Sequence, residues 1–428
     1  MNICMFTNTY LPQVGGVARS VASYAEDMRK MGHRVLIVAP TYAEEVRGER
    51  DDEVLRVPAI QRFNGSDFSM RIAVPFLIAN RIDDFCPDII HSHHPYLLGD
   101  AAMRTARRRN LPLVFTHHTL YEQYAHYVPV KSDVMQQFVI SLSTQYANLC
   151  QRVVAPSESI ARLLRSRGVM SPIEEIPTGV DLNFFRNGNG SKFRQAYAID
   201  PEERVIGHVG RLAPEKNLCY LAEAVASFLD YHKGIFLVVG AGPSKEKIRR
   251  IFHRHRLEKR LITTGECSGR YLADAYSAMD LFVFASKSET QGMVLTEAMA
   301  AGKPVIALDA SGVREVVTDR VNGRLLDAES PDKLFAEAIH DFFHNPELAG
   351  QFSLEALKTA GTLSRESCAE RMASVYESML LEYRRASGTL QDFLDLYKVV
   401  RSINVEWKLI SGKVAATVNA LIETGGKQ

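Results

Sequence analysis

Short runs of apolar, β-branched residues alternate along most of the chain with longer stretches in which apolar residues return every three or four positions. Short runs bounded by turn formers predict buried strands, and the longer period predicts helices. In the first half the strands fall at residues 3–6, 35–39, 89–91, 113–116 and 153–156, and the clearest helices at 18–31 and 98–109. The pattern then restarts. Residues 205–209, 235–239, 261–264, 281–285 and 305–308 read as strands, separated by helices such as 218–231 and 245–255. Strands alternating with helices imply an α/β architecture, a parallel sheet covered on both faces. The restart implies two doubly wound, Rossmann-like sheets of similar size.

Turn formers at Pro177-Thr178-Gly179 interrupt the pattern, and Asn187-Gly188-Asn189-Gly190 supplies a loop just beyond. The expected domains are residues 1–178 and 179–385, followed by an extension over 386–428. In that extension Leu390, Phe393, Tyr397, Val400, Ile403, Trp407, Ile410, Val414, Val418 and Leu421 recur at spacings of three and four. This is an amphipathic helix or a helix pair, with Gly412 the candidate break. It would dock on its own protein, pair two copies, or touch a membrane. Doubly wound sheets bind ligands outside the carboxyl ends of their strands. A central cleft between the two sheets is the expected site.

The size of the chain, 428 residues with 46% hydrophobic, agrees with two or three domains that bury large cores. The balance of 51 Lys+Arg against 50 Asp+Glu excludes a general nucleic-acid binder, whose footprint is basic. Local basic clusters remain: Arg104, Arg107, Arg108 and Arg109 lie within six residues, and Arg162, Arg165 and Arg167 follow on another helix. The six cysteines are scattered with no Cys-x-x-Cys pair, which excludes a zinc ribbon and reads as reduced thiols. No segment reaches the roughly 18 uninterrupted apolar residues that span a bilayer. The start enters a strand at once without a basic region, unlike a signal peptide. The expectation is a cytoplasmic protein, free or peripheral on the inner face of the membrane.

Candidate chemistry gathers where strands end. Gly15 and Gly16 stand at the turn between the first strand and its helix, where adjacent glycines let a ligand approach the backbone and helix amides favour anions. The dinucleotide fingerprint is missing, since Lys245 follows Gly240-Ala241-Gly242 where a third glycine belongs, and there is no P-loop. No Asp-x-Asp metal clamp occurs. His91, His93 and His94 end one strand, and His117 and His118 another. A metal site is one reading, though no His-Glu-x-x-His accompanies them; a polar ligand at the strand ends is the other. Arg211 and Lys216 follow the first strand of the second sheet and could clamp a diphosphate, or simply form a solvated loop with a Glu215–Lys216 pair. Glu289 and Glu297, eight apart, straddle the start of a helix, the second about two turns in. Between them, exposed backbone amides of Gln291, Gly292, Met293 and Val294 can meet phosphate.

Together these residues resemble the retaining glycosyltransferases of family 4, of the two-domain GT-B fold, over about residues 1–385. The matching features are Gly15-Gly16-Val17, Pro177-Thr178-Gly179-Val180-Asp181, Val209-Gly210-Arg211 with Glu215-Lys216-Asn217, Gly240-Ala241-Gly242-Pro243, and Glu289-x7-Glu297. The stretch from Thr116 through Tyr121, Tyr124, His126 and Tyr127, with Glu289-Thr290-Gln291-Gly292, is similar to bacterial diacylglycerol glucosyltransferases. Many other members have Glu-Gly-Phe at the latter site. The resemblance implies UDP-glucose, or another UDP-hexose, as donor, a membrane lipid as acceptor, and no metal or other cofactor. It implies that Arg211 and Lys216 neutralise the departing diphosphate in place of a metal. Glu289 would bind sugar hydroxyls and Glu297 the ribose. Gly16 and residues 291–294 would touch sugar and phosphates, and Gly265 to Cys267 would hold the base through the backbone. His118 would face donor sugar and acceptor, with Tyr121, Tyr124, His126 and the arginines of 104–109 on the acceptor and membrane side. Several alternatives keep the fold or the chain but change the activity: a GDP-mannose-dependent mannosyltransferase on phosphatidylinositol or a lipid-linked glycan, transfer to a small cytosolic acceptor, a nucleotide-sugar 2-epimerase or a phosphorylase, and a non-catalytic scaffold.

Overall fold

The computed structural model describes residues 1–13, 15–42, 53–60, 70–71, 75–122, 133–287 and 289–387. Two compact units share the chain: Met1–Thr178 together with the described residues from Cys368, and Gly179–Ser367.

In the first unit the elements run β1 (Asn2–Phe6), α1 (Gly16–Lys30), β2 (Arg34–Pro40), β3 (Val54–Val57), β4 (Ala59–Ile60), β5 (Met70–Arg71), α2 (Pro75–Phe85), β6 (Ile89–Ser92), α3 (Leu98–Arg108), β7 (Leu113–Thr116), α4 (Asp133–Asn148), β8 (Arg152–Ala155), α5 (Glu158–Ser166) and β9 (Ile173–Glu175). Seven strands form one sheet in the order β3-β2-β1-β6-β7-β8-β9, every neighbouring pair parallel. Burial on both faces explains why its central strands read as unbroken apolar runs. Successive residues of β1 serve opposite cores. Ile3 and Met5 join Val21, Ile37 and Val114, while Cys4 and Phe6 join Leu36, Met103, Phe115, Tyr146 and Leu164.

In the second unit follow α6 (Leu182–Arg186), α7 (Gly190–Ala196), β10 (Val205–Val209), α8 (Leu218–Leu229), β11 (Ile235–Val239), α9 (Lys245–Arg254), β12 (Leu261–Gly265), α10 (Gly269–Ala278), β13 (Leu281–Phe284), α11 (Met293–Ala300), β14 (Val305–Leu308), β15 (Gly323–Leu326), α12 (Asp332–His344) and α13 (Pro346–Thr362). Six parallel strands take the order β12-β11-β10-β13-β14-β15. Here too the strands alternate between cores: Phe282 and Phe284 face Tyr276 and Leu295, and Leu281 and Val283 face Val225 and Phe252.

The ten strands expected from the sequence are all present. Five more were not foreseen: β4 and β5, which pair only with each other, and β3, β9 and β15, which sit at the edges of the two large sheets. The edge segments Val-Leu-Arg-Val, Ile-Glu-Glu and Gly-Arg-Leu-Leu are short and carry charge, so no apolar run announces them.

The last described helix, α14 (Arg365–Ser387), changes the expected partition. Its first residues belong to the second unit, but from Cys368 it belongs to the first. Residues 368–385 therefore leave the segment that the periodicity assigned to the second domain. Ala369, Met372, Ala373, Tyr376 and Met379 form one stripe at helical spacing, and that stripe is buried with Ile3, Met5, Tyr24 and Ile37. Burying Met372 and Met379 contributes on the order of 1.5–3 kcal/mol each. Periodicity reveals that a helix has an apolar face, not which sheet that face covers. The amphipathic pattern over 390–421, expected as a helical extension, lies outside the described residues.

Strand order reverses once in each sheet, between β1 and β6 and between β10 and β13. At such a switch point the loops leaving the carboxyl ends diverge to opposite faces and open a crevice for a ligand. Among the described residues, Arg211, Lys216, Glu289, Glu297, His91, His93, His94, His117 and His118 stand at the end of, or after, one of these strands or its neighbour.

Candidate functional site

In the second unit, β10 leads through Gly210 and Arg211 into a 3-10 turn at Pro214–Lys216 and then α8. Across the switch point β13 leads through Ser286, Lys287 and Glu289 into α11. The Ser286 hydroxyl lies 3.5 Å from the Glu215 carbonyl, joining the two loops. Lys216 Nζ donates to Glu289 Oε1, and both side chains are largely buried, 16% and 14% exposed. Arg211 donates to Glu215 one turn on and is more open, at 45%. The expected Glu215–Lys216 pair is thus exchanged for two others, Arg211–Glu215 and Lys216–Glu289. Sequence neighbours on a tight turn point apart, whereas the turn itself carries Lys216 towards the other loop.

Gly292 caps α11 with a φ of +71°, in the left-handed region that glycine tolerates. A methyl group there would also stand 2.8 Å from the Gly312 carbonyl oxygen. Glycine is what allows the loop to turn tightly and present the amides at the start of α11. Gln291 is buried, and Met293 and Val294 are half-buried. Glu297 is the fifth residue of α11, so it sits one turn in rather than two. It is buried, and the Tyr276 hydroxyl donates to its Oε2 at 2.7 Å. Tyr276 carries no motif and was missed by the sequence reading; only the packing of α10 against α11 brings it there. Gly265 ends β12, and Cys267 beyond it is half-buried with its thiol 3.4 Å from Thr264 Oγ1.

His208, on β10, is fully buried, with Nδ1 3.1 Å from the Val283 carbonyl. Burial, with the Lys216 charge adding to it, pushes its pKa down to about 4.

In the first unit, Gly15 and Gly16 open α1 and are exposed; a methyl group at either would meet nothing within 4 Å. Packing gives no reason for glycine at either position. The histidines at the ends of β6 and β7 divide by face. His91, His93, Thr116 and His118 meet one another across the two strands. His91 Nε2 is 2.7 Å from Thr116 Oγ1, and His93 Nδ1 is 2.9 Å from His118 Nε2. Tyr376 of α14 closes the row, its hydroxyl 2.6 Å from His91 Nδ1. His117 points the other way, against Phe115 and Tyr121. Burial is the main cause that lowers the pKa of His91, His117 and His118 to about 3, and it lowers His93 strongly too. All four are neutral imidazoles at physiological pH.

The residues assigned to acceptor and membrane scatter. Arg107 donates to the Leu149 carbonyl at 2.8 Å, and Arg109 donates to Asp83 at 2.8 Å and to the Ala79 carbonyl. Of the four arginines only Arg108 is exposed, Arg104 being half-buried. The cluster that looked continuous in sequence is therefore split, because a helix turns its neighbours to different sides. Tyr121 is buried, its ring between Tyr96 and His117. Tyr124 and His126 lie outside the described residues. Among the described residues no group of three or more His, Cys, Asp or Glu is placed to hold a metal ion. No described helix is long and apolar enough to cross a membrane.

Two family models match the chain: Glycosyltransferase Family 4 over residues 14–184 and Glycosyl transferases group 1 over 190–359. Alpha-monoglucosyldiacylglycerol synthase of Streptococcus pneumoniae is 30% identical over 384 residues, covering 88% of this chain and 82% of its own. The chain belongs to glycosyltransferase family 4. A second relative of this family 4 enzyme is a GDP-mannose-dependent alpha-mannosyltransferase of Mycobacterium tuberculosis, 29% identical over 388 residues, 89% of this chain and 97% of the other. Among solved structures, sucrose-phosphate synthase from Thermosynechococcus elongatus matches with a TM-score of 0.73 over 89% of this chain and 99% of that one, at 22% identity. The fold is accordingly GT-B, each unit a Rossmann-like half, and the activity is that of a hexosyltransferase.

Proposed function

We propose that this family 4 enzyme moves glucose from UDP-glucose onto a membrane lipid such as diacylglycerol, retaining the anomeric configuration and using no metal ion. The observation that carries the reading is the charged arrangement at the β10/β13 switch point. Lys216 and Arg211 stand on one side of it, and Glu289 and the amides opening α11 on the other.

Each charge has a task in this reaction. When donor binds, Lys216 exchanges part of its bond to Glu289 for a phosphate oxygen, and Glu289 accepts from sugar hydroxyls. Arg211 supplies the second cation on the diphosphate, as a planar fork. These groups are in place before charge develops on the leaving phosphate, which is where preorganised electrostatics lower a barrier most. Glu297, oriented by Tyr276, accepts from the ribose hydroxyls. The backbone at Gly265 and Cys267 meets the base, and the open amides at Gly15 and Gly16 meet phosphate or sugar. His118 faces the donor sugar and the acceptor.

The acceptor hydroxyl attacks the anomeric carbon on the face that the diphosphate leaves. The new C–O bond forms as the C–O bond to phosphate breaks, and the hydroxyl proton departs with the phosphate oxygen. The name of the pneumococcal relative, an α-glucosyl lipid synthase, supports both a glucosyl donor and retention. The exposed Arg108, with Arg162 and Arg165 at 60% and 52% exposure, would meet anionic headgroups at the inner membrane face.

Incubation with UDP-glucose and vesicles containing diacylglycerol, with and without EDTA, tests the reading directly. Glucolipid should form equally in both. Loss of activity on chelation would remove the metal-free clause. The mycobacterial relative, a GDP-mannose-dependent alpha-mannosyltransferase, favours a second reading, transfer of mannose from GDP-mannose, for which phosphatidylinositol or a lipid-linked glycan would be the acceptor. Thermal stabilisation by GDP but not by UDP, with mannolipid as the product, would establish that reading in place of the first.

A further inference from the structure

We propose that His93 is a positioning residue for transfer: its Nδ1–H donates to Nε2 of His118, which fixes the ring plane of His118 and makes it a neutral imidazole with its proton on Nδ1. The inference rests on His118 facing the substrates, as proposed above.

The two rings face each other at the carboxyl ends of β6 and β7, with Nδ1 of His93 2.9 Å from Nε2 of His118 and the ring centroids 5.2 Å apart. Two neutral imidazoles can share this bond in only two ways. If His118 donated, His93 would carry its own proton on Nε2. That nitrogen is buried and has no hydrogen-bond partner among the described residues. A buried N–H without an acceptor is rarer and costlier than an unpaired lone pair. Donation from His93 to His118 leaves only the lone pair unpaired, and is the arrangement that the geometry favours.

The neighbours of His93 cannot alter this. The His91 ring lies tilted against it, with ring centroids 4.1 Å apart. Both nitrogens of His91 are already taken, one by Tyr376 of α14 and the other by Thr116 of β7. His94 follows on the same strand end, with Nδ1 3.1 Å from the backbone nitrogen of Asn8. None of these groups offers His93 a carboxylate, and burial together with the nearby His91, His118 and His94 keeps it uncharged. Stability alone would be served better at this position by an apolar side chain, which leaves no buried nitrogen unpaired. What histidine adds is the bond to His118. Partners of this kind, one step removed from substrate, orient the groups that touch it.

Long-range 1H–15N correlation of the imidazoles in the full-length protein reads the tautomer without any substrate. His118 should show a proton-bearing Nδ1 and a lone-pair Nε2; the reverse assignment overturns the proposal. Kinetics with UDP-glucose and diacylglycerol vesicles supply the second arm. His93→Leu should lower kcat by about 10- to 100-fold, the range seen when an orienting partner is removed, with little change in KM for donor. His93→Asn, which keeps an N–H donor at the same distance from the backbone, should recover most of the loss. Unchanged kcat in His93→Leu while His118→Ala is crippled would refute the role of His93 alone. Normal turnover in His118→Ala would instead refute the reading of His118. Should His93→Leu fail to fold, the tautomer and the Asn variant still decide.

Discussion

Lys216 and Glu289 hold each other across the two loops of the second unit, so the tasks proposed for them in transfer cannot be separated by single substitutions. Lys216→Ala should lower kcat by on the order of 10²-fold or more, as when a preorganised charge is removed from a developing anion. Lys216→Arg should not restore it, because a guanidinium fork cannot occupy the site of a compact ammonium. Glu289→Ala should also be slow, and the double variant should be less impaired than the product of the two losses, with a coupling of about 0.5–3 kcal/mol. Steady-state kinetics of the four proteins checks this. Strictly multiplicative losses would show that the two residues act independently, and near-normal turnover of Lys216→Ala would remove it from the site. Both residues were legible in the sequence from their place after strands. Their pairing was not, since they lie 73 positions apart and nothing local relates them.

At the scale of elements, α14 packs an apolar stripe on the first sheet, and that stripe carries the polar contact of Tyr376 with His91. Beside it lie the more exposed ties of Arg371 to Glu175, Glu382 to Arg152 and Tyr383 to Asn110. Tyr376 and His91 are 285 positions apart and both fully buried. Tyr376→Phe keeps the stripe but leaves one nitrogen of His91 unpaired, which should cost about 1–3 kcal/mol. Urea denaturation should show the transition of the first unit at lower urea with unchanged slope. An unchanged midpoint would mean that the contact contributes nothing. The central strands were readable because burial on both faces leaves apolar runs that nothing else produces. The edge strands β3, β9 and β15 were not, since an edge is half solvated and its composition resembles a loop. The destination of α14 was also hidden. An amphipathic stripe fits any apolar sheet face, and only the folded chain selects one.

For the molecule as a whole, the buried histidines are unevenly shared. Among the described residues the first unit buries His91, His93, His94 and His117, and the second only His208. His91 and His117 have folded pKa values near 3 against about 6.5 in an unfolded chain. Between those values the unfolded state binds more protons, so stability falls as pH falls. The contribution is fully present above about pH 6.5 and declines towards pH 3, by roughly 1.4 kcal/mol per pH unit for each such histidine. His208, near 4, adds the same sign over a narrower window in the second unit. Hydrogen exchange at pH 5 and 7.5, corrected for intrinsic rates, should therefore show β6 and β7 losing protection on acidification well before β10 and β13. Equal loss in both units would refute the assignment of neutral, buried histidines to the first.

The alternation of short apolar runs with helical stretches, by itself, determined two parallel α/β sheets, the join near residue 178, and the strand ends where the candidate residues collect. These follow from local periodicity and from the fact that strands buried on both faces must be apolar. Which partners meet at those strand ends was decided only in three dimensions. Lys216 with Glu289, Glu297 with Tyr276, His93 with His118, and α14 with the first sheet all join residues brought together by strand order and helix packing. The reason is physical: a side chain's hydrogen bonds depend on direction and distance, and separation along the chain carries neither.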